Sequence, residues 1–251
     1  MTWSVYLWAA LLVLVFSALL SMAGLGAAFL FVPFFYWLGV PLHQSMSMGL
    51  FLNFLSLSFA SVIYWRNDLV NLRAGLPIAI AAIIFSPLGA FSSQFVERRI
   101  LLWLFAAFLI FAAYMMLFYR SPRSETRKGG KAEIGVGALV GILAGYLGGL
   151  LGVGGGNIIV PALTWAGYDA KVSAGTTALV VVFSSLAGFL GRVSVGGLNY
   201  AFLGVVSLAA AVGSLLGAWL MKNKLSSIQL KRIIGVLLFG MAIKIIVDLW
   251  R

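Results

Sequence analysis

The sequence predicts an all-α polytopic membrane protein made of two homologous repeats. Three observations carry that expectation. The 251-residue chain is 63% hydrophobic and only 9% charged, with a mean hydropathy of +1.09, whereas a soluble domain of this length needs far more polar surface. Apolar runs succeed one another with little between them. The two halves of the chain also align on each other without a gap.

Taken in order, the runs of the first half lie at 3–22, 27–40, 44–65, 74–95 and 100–119. Those of the second half lie at 134–151, 157–168, 172–191, 199–221 and 230–250. Most reach the ~20 residues that a ~30 Å hydrocarbon core requires. The second run of each half is too short for a full helical crossing at about 1.5 Å per residue, and reads as a broken helix. The first run has no Lys or Arg before it, as a signal peptide needs, and has a counterpart at 134–151; it is expected to be a retained helix. Between the halves, Arg120 to Lys131 is the one clearly hydrophilic stretch. The expected organisation is therefore repeat 1 at 1–119, a basic cytoplasmic linker at 120–133, and repeat 2 at 134–251.

Pro33 superposes on Pro161, a displacement of 128 positions. At the same displacement Gly24 falls on Gly152, Gly26 on Gly154, Trp37 on Trp165 and Gly39 on Gly167. Ser45 falls on Ser173, Ser56 on Ser184, Asn71 on Asn199 and Ser86 on Ser214. Agreement of Pro, Trp and Asn at one ungapped displacement marks an internal duplication, a recurrent feature of transporters.

Charge decides how the halves are oriented. The formal net charge of +11 sits mostly between the apolar runs, so it reads as positive-inside topology rather than as a nucleic-acid surface. If every run crosses, each half has five spans and the second half is inverted. Arg66, Arg73, the linker, Lys171, Lys222 and Lys224 then share the cytoplasmic side, opposite Arg98, Arg99, Arg192 and Arg251. If the short runs dip and return, four-plus-four spans result and the charge split is nearly even. The expected architecture is inverted five-plus-five, within bounds of eight to ten spans. Gly137, Gly141, Gly145 and Gly149, every fourth residue, predict one close-packed helix face.

The chemistry concentrates at Leu150 to Leu163, L-L-G-V-G-G-G-N-I-I-V-P-A-L. A dinucleotide fingerprint would need a preceding strand and a later acidic residue, and a P-loop would need Gly-Lys-Ser/Thr; neither context is present. What remains is a helix start within the membrane. Gly154, Gly155, Gly156 and Asn157 open a short helix whose first N–H groups lack internal partners and favour an anion. Gly24 and Gly26 open the weaker copy in repeat 1. Each short helix is followed by a polar cluster, His43 with Ser45 and Lys171 with Ser173, Thr176 and Thr177, suited either to oxyanion contacts or to helix capping. Asn53, Ser56, Ser184 and Ser185 lie deeper on the same helices, and Arg192 at the end of a span suits an anion vestibule or a headgroup position. Lys244 and Asp248, four apart, are placed to pair.

Other functions lack residues. Cysteine is absent and His43 is the only histidine, which removes thiolate and most metal sites. His43 stands beside Ser45 rather than across from it, so a serine–histidine pair is not formed on separate helices. No cofactor or metal is expected, and no enzyme activity. The glycine breaks, which cost helix stability, argue against a purely structural assembly protein. No carboxylate falls in mid-span, so a carboxylate proton relay is hard to build. An anion leaving a negative-inside cell needs none, since the potential favours exit by roughly 2.3 kcal/mol per charge per 100 mV.

The pattern L-G-V-G-G-G-N-I-I-V-P-A-L, with its weaker copy G-L-G-A-A-F-L-F-V-P, resembles the sulfite exporter TauE/SafE family, and the resemblance extends over nearly the whole chain. It implies export or uptake of small sulfur-containing or organic anions such as sulfite, an organosulfonate or thiosulfate, at an inner membrane. The family is often described with about eight spans, which conflicts with the charge count. Ala27 and Ala28 stand where repeat 2 has Gly155 and Gly156, so the halves are not equal as binding elements. The expected partners are a small anion, the lipid bilayer and a second copy of the chain, with no nucleic acid.

Overall fold

The computed structural model describes residues 3–21, 24–118, 131–192, 199–223 and 227–250; most of the expected linker, Lys224 and Arg251 lie outside them. Every described element is helical. The first half of the chain holds α1 (Trp3–Ser21), α2 (Ala28–Trp37), α3 (Leu42–Arg66), α4 (Leu72–Ser92, continued by a short 3-10 turn) and α5 (Arg98–Phe118). The second half holds α6 (Lys131–Leu151), α7 (Gly156–Trp165), α8 (Ala170–Arg192), α9 (Tyr200–Asn223) and α10 (Ser227–Trp250). The first four helices of the halves begin 128 residues apart, and the fifth 129 apart. The expected runs therefore match helices to within about a turn.

Six of the described helical segments are long and apolar enough to cross a membrane: those in α3, α4, α5, α6, α8 and α9. The most central are α3 and α8, whose apolar windows are 61% and 67% buried, against 39–44% for the other four. The remainder turn Leu72, Leu76, Ile80, Leu139, Leu208 and many similar side chains outward, as a lipid-facing belt requires. The short helices α2 and α7 have 10 residues each, about 15 Å at 1.5 Å per residue, half of a hydrocarbon core.

Both short helices end by one device. Gly39 (φ +87°) and Gly167 (φ +93°) take the left-handed conformation that a chiral side chain resists. Val40 N–H then donates to Phe35 O and Tyr168 N–H to Leu163 O, at 3.0 and 3.1 Å. Inside each helix Pro33 and Pro161 lack an N–H, so the carbonyls of Phe29 and Asn157 lose their helical donors.

Packing repeats as the sequence does. α4 packs most extensively on α6 and α8, and α9 on α1 and α3; these are the same contacts with the halves exchanged. α5 lies against α10, and α3 against α8. The four-residue glycine ladder of α6 meets α4: a Cβ on Gly141 would stand 2.4 Å from Ile78 O, on Gly145 2.6 Å from Ala82 Cα, and on Gly149 2.0 Å from Ser86 O. Numbers rise together along the seam, so α4 and α6 run parallel. In the other seam Gly213 and Gly217 of α9 approach Leu14 and Ala18 of α1, again parallel. By contrast α3 and α8 are antiparallel, Met46 lying by Arg192, Leu50 by Gly188 and Asn53 by Ser185.

The seams set a stability prediction. Gly145→Ala forces a methyl into backbone and should cost about 1–3 kcal/mol, as overpacking does. Gly204→Ala, with nothing within 4 Å, should leave stability unchanged or slightly raised by helix propensity. Thermal unfolding of the two variants in detergent checks the contrast.

Candidate functional site

The two glycine turns meet at the middle of the bundle. Residues Gly24 to Pro33 and Leu150 to Asn157 are buried throughout. Gly24 (φ +66°), Gly26 (φ +72°), Gly152 (φ +74°), Gly154 (φ +78°) and Gly155 (φ +77°) all adopt the left-handed region, at the breaks between α1 and α2 and between α6 and α7. Ala27, at the position matching Gly155, is instead at φ −106°. A Cβ on Gly156 would stand 2.5 Å from Leu25 O, so the turns touch each other directly.

Each turn also lies against the central helix of the other half, again with repeat symmetry. A Cβ on Gly24 would fall 2.2 Å from Ala174 O, and one on Gly152 2.6 Å from Met46 Cβ. Met46 and Ala174 are themselves 128 residues apart. Between the turns stands Asn53, fully buried and near the midpoint of α3. A Cβ on Gly26 would overlap its Oδ1 at 1.8 Å, and one on Gly154 would come within 2.4 Å of its Nδ2. Asn53 Nδ2 donates to Ser185 Oγ at 3.0 Å, and Ser184 Oγ donates to Gly154 O at 3.4 Å.

Hydrogen-bond accounting shows what is free there. Leu30 and Phe31 N–H bond to Ala27 O, and Ile158 and Ile159 N–H to Gly155 O. Ahead of them, the N–H groups of Gly26 to Phe29 and of Gly155 to Asn157 have no acceptor among the described residues. Asn53 Oδ1, Asn157 Oδ1 and Thr177 Oγ1 are likewise buried and unpartnered. An unmade hydrogen bond on a buried group costs about 1–3 kcal/mol, so this is an expensive concentration of polar atoms. Thr177 lies about one turn beyond Ala174 on α8. The turns pack on each other and on Asn53; the cavities of about 300 and 230 Å³ lie elsewhere, the first at the ends of α2 and α10 with the start of α5, the second between α4 and α8.

The other expected residues are placed differently. Ser45 Oγ donates to Val40 O and Ser173 Oγ to Tyr168 O, at 3.3 and 3.5 Å, so both serines close the loops behind the short helices. Thr176 Oγ1 accepts from Asn71 N–H at 2.9 Å, tying α8 to the start of α4. Lys171 is exposed at the start of α8, where Asp169 caps its N–H. His43 is half-buried at the start of α3 with Nδ1 unpartnered. Arg192 is only 1% exposed, buried among helix ends in this conformation. Its Nη2 donates to Gly149 O and Leu150 O at 2.6 and 3.1 Å, capping α6, and Nη1 lies 3.4 Å from Met46 Sδ. The structure turns Lys244 toward Trp37, its Nζ 4.0 Å from the ring centre, rather than pairing it with Asp248.

One residue escaped the sequence reading. Tyr64, 1% exposed, donates its hydroxyl to Ser21 O at the end of α1. The signal was present, since Tyr64 falls on Arg192 at the 128-residue displacement, but the residue types differ and the match is invisible to an identity count.

Comparison of the sequence with known proteins identifies a family. The family model described as sulfite exporter TauE/SafE matches residues 9–245. The chain belongs to the sulfite exporter TauE/SafE family. A probable membrane transporter protein of Methanocaldococcus jannaschii is 29% identical over 201 residues, covering 76% of this chain and 74% of that protein. A probable membrane transporter protein of Bacillus subtilis is 25% identical over 198 residues, covering 77% and 80%. Sulfite exporter TauE/SafE family protein 1 of Arabidopsis thaliana is 32% identical over 104 residues, covering 41% of this chain and 23% of that protein. No solved structure matches the chain. The family is one of membrane transporters, and this member is a multi-pass membrane protein.

The Asn53 contact yields a coupling test. Gly26→Ala should be strongly destabilising because its methyl overlaps Asn53 and the backbone is left-handed. Shortening the partner, in Gly26→Ala/Asn53→Ala, removes the overlap and leaves only backbone strain of about 1–3 kcal/mol. The double variant should be more stable than Gly26→Ala alone, measured by unfolding in detergent as a double-mutant cycle.

Proposed function

We propose that this TauE/SafE-family protein is a secondary transporter that moves a small anion across the inner membrane by alternating access between two inverted five-segment repeats. The anion is held between the glycine turns. The observation that carries this reading is the set of unpartnered N–H groups at Gly26 to Phe29 and Gly155 to Asn157, gathered around Asn53 halfway along α3. Each helix start carries the equivalent of about half a positive charge, so two of them offer roughly one unit without a buried lysine. Inversion is supported by the antiparallel course of α3 and α8, which occupy equivalent places in the two halves.

The turns are closed in this conformation, so the solute reaches them only when the halves rearrange. That supports alternating access rather than an open channel. The solute is a sulfite or organosulfonate type of oxyanion, its oxygens accepting from the free amides and from Thr177. The membrane potential drives it outward without a proton relay. A homodimer is the proposed assembly.

The test is flux of labelled sulfite and of a short alkylsulfonate from proteoliposomes under an imposed potential. Asn53→Leu and Thr177→Val should each lower flux at least tenfold, in line with the loss of one or more hydrogen bonds of about 1.5 kcal/mol or more to a charged group. Both should retain a cooperative unfolding transition. Gly155→Leu does not serve, because its Cβ would lie 2.3 Å from Ala144 O and the fold itself would suffer. Wild-type vesicles that move neither anion, or folded variants with undiminished flux, would overturn the proposal.

A further inference from the structure

Two buried donors close the helices that lead into the turns, and they occupy the same place in the two halves. Tyr64 donates to Ser21 O, and Arg192 donates to Gly149 O. Tyr64 and Arg192 are 128 residues apart, as are Ser21 and Gly149. Both side chains are 1% exposed. The duplication has kept the bond and changed the charge.

A tyrosine hydroxyl is sufficient to satisfy a terminal carbonyl, as α1 demonstrates. The guanidinium at the matching point therefore brings something that capping does not require. Taking a full charge out of water is costly, and among the described residues no carboxylate pairs with it: its partners are two carbonyls and a methionine sulfur, and Nε has none. His43, on which Arg192 acts electrostatically, offers no negative charge. The uncompensated charge sits beside Gly149 and Leu150, immediately before Gly152, Gly154 and Gly155. That second turn is also the one with a left-handed glycine at Gly155 where the first has Ala27.

Resting on the transport reading above, we propose that Arg192 is the specificity-determining charge of the transporter. It acts through the end of α6 on the second of the two glycine turns between which the anion is held, while Tyr64 stands beside the first turn as its neutral counterpart. Arg192 is a positioning residue, since it is spent on carbonyls rather than on the solute. Its field favours an anion in proportion to the anion's charge, so the protein discriminates dianions from monoanions.

The experiment compares Arg192→Tyr, Arg192→Lys and Tyr64→Phe, with KM and kcat for sulfite at a pH where it is a dianion and for methanesulfonate, a monoanion. Arg192→Tyr keeps a donor near Gly149 and removes the charge. Because the interaction scales with the product of charges, KM should rise about tenfold for the monoanion and about a hundredfold for the dianion. Arg192→Lys should restore most of the difference, and Tyr64→Phe should shift both solutes equally or not at all. Equal loss for both solutes in Arg192→Tyr, or the same charge-dependent loss in Tyr64→Phe, would overturn the proposal while leaving the transport reading intact. Absence of flux for either anion in the wild type would remove the transport reading instead. Should Arg192→Tyr fail to fold, Arg192→Lys and Arg192→Gln supply the charge comparison.

Discussion

A peptide group at membrane depth has no water to bond to, and the whole bundle is shaped by the two places where this protein breaks a helix there. Lipid cannot cover such a break, so protein must. The turns after α1 and α6 cover each other, Leu25 against Gly156, and what they leave open is filled by Asn53. Glycine is needed at Gly26 and Gly154 because the amide of Asn53 stands where a side chain would be. The central helices can approach this closely because the outer seams, α4 on α6 and α1 on α9, are themselves built from glycine contacts without a methyl to spare. Close packing at the periphery thus permits a polar centre that would be ruinous if water or lipid reached it only in part.

Much of this could be read from the residues. Apolar runs located the ten α-helices of the described residues, because a hydrocarbon core imposes length and composition at once. The likeness of the two short helices was legible through Pro33 and Pro161, each inside its helix, and through Gly39 and Gly167, which end them in the same left-handed conformation. The glycine ladder of α6 was legible as a packing face because only small residues permit backbone approach in the absence of a hydrophobic drive.

The site was less so, for a physical reason. Polar residues at a helix start either cap the chain or bind a ligand, and residue type does not separate these uses. Ser45, Ser173 and Thr176 turned out to bond backbone groups of adjoining loops. Lys171 and Arg192 are both cations at the ends of α8, yet one is exposed and the other buried; that difference depends on what α3 and α6 place around each end. Tyr64 was hidden because the two halves preserve a hydrogen bond rather than a residue. The parts of the site that escaped notice are those defined by contacts between distant segments.

The seams have one more consequence, for biogenesis. α1 finds its principal neighbour in α9, at the far end of the chain, and α4 finds its own in α6, across the linker. The amino-terminal half, once threaded into the bilayer, lacks the surfaces against which its first and fourth helices rest. Its broken segment, with bare amides, has Asn53 against it but lacks the second turn and α8 until they arrive. The nascent protein must therefore wait, partly assembled, for most of its length to be synthesised, and the cellular insertion machinery has to shield that half-built bundle in the interval.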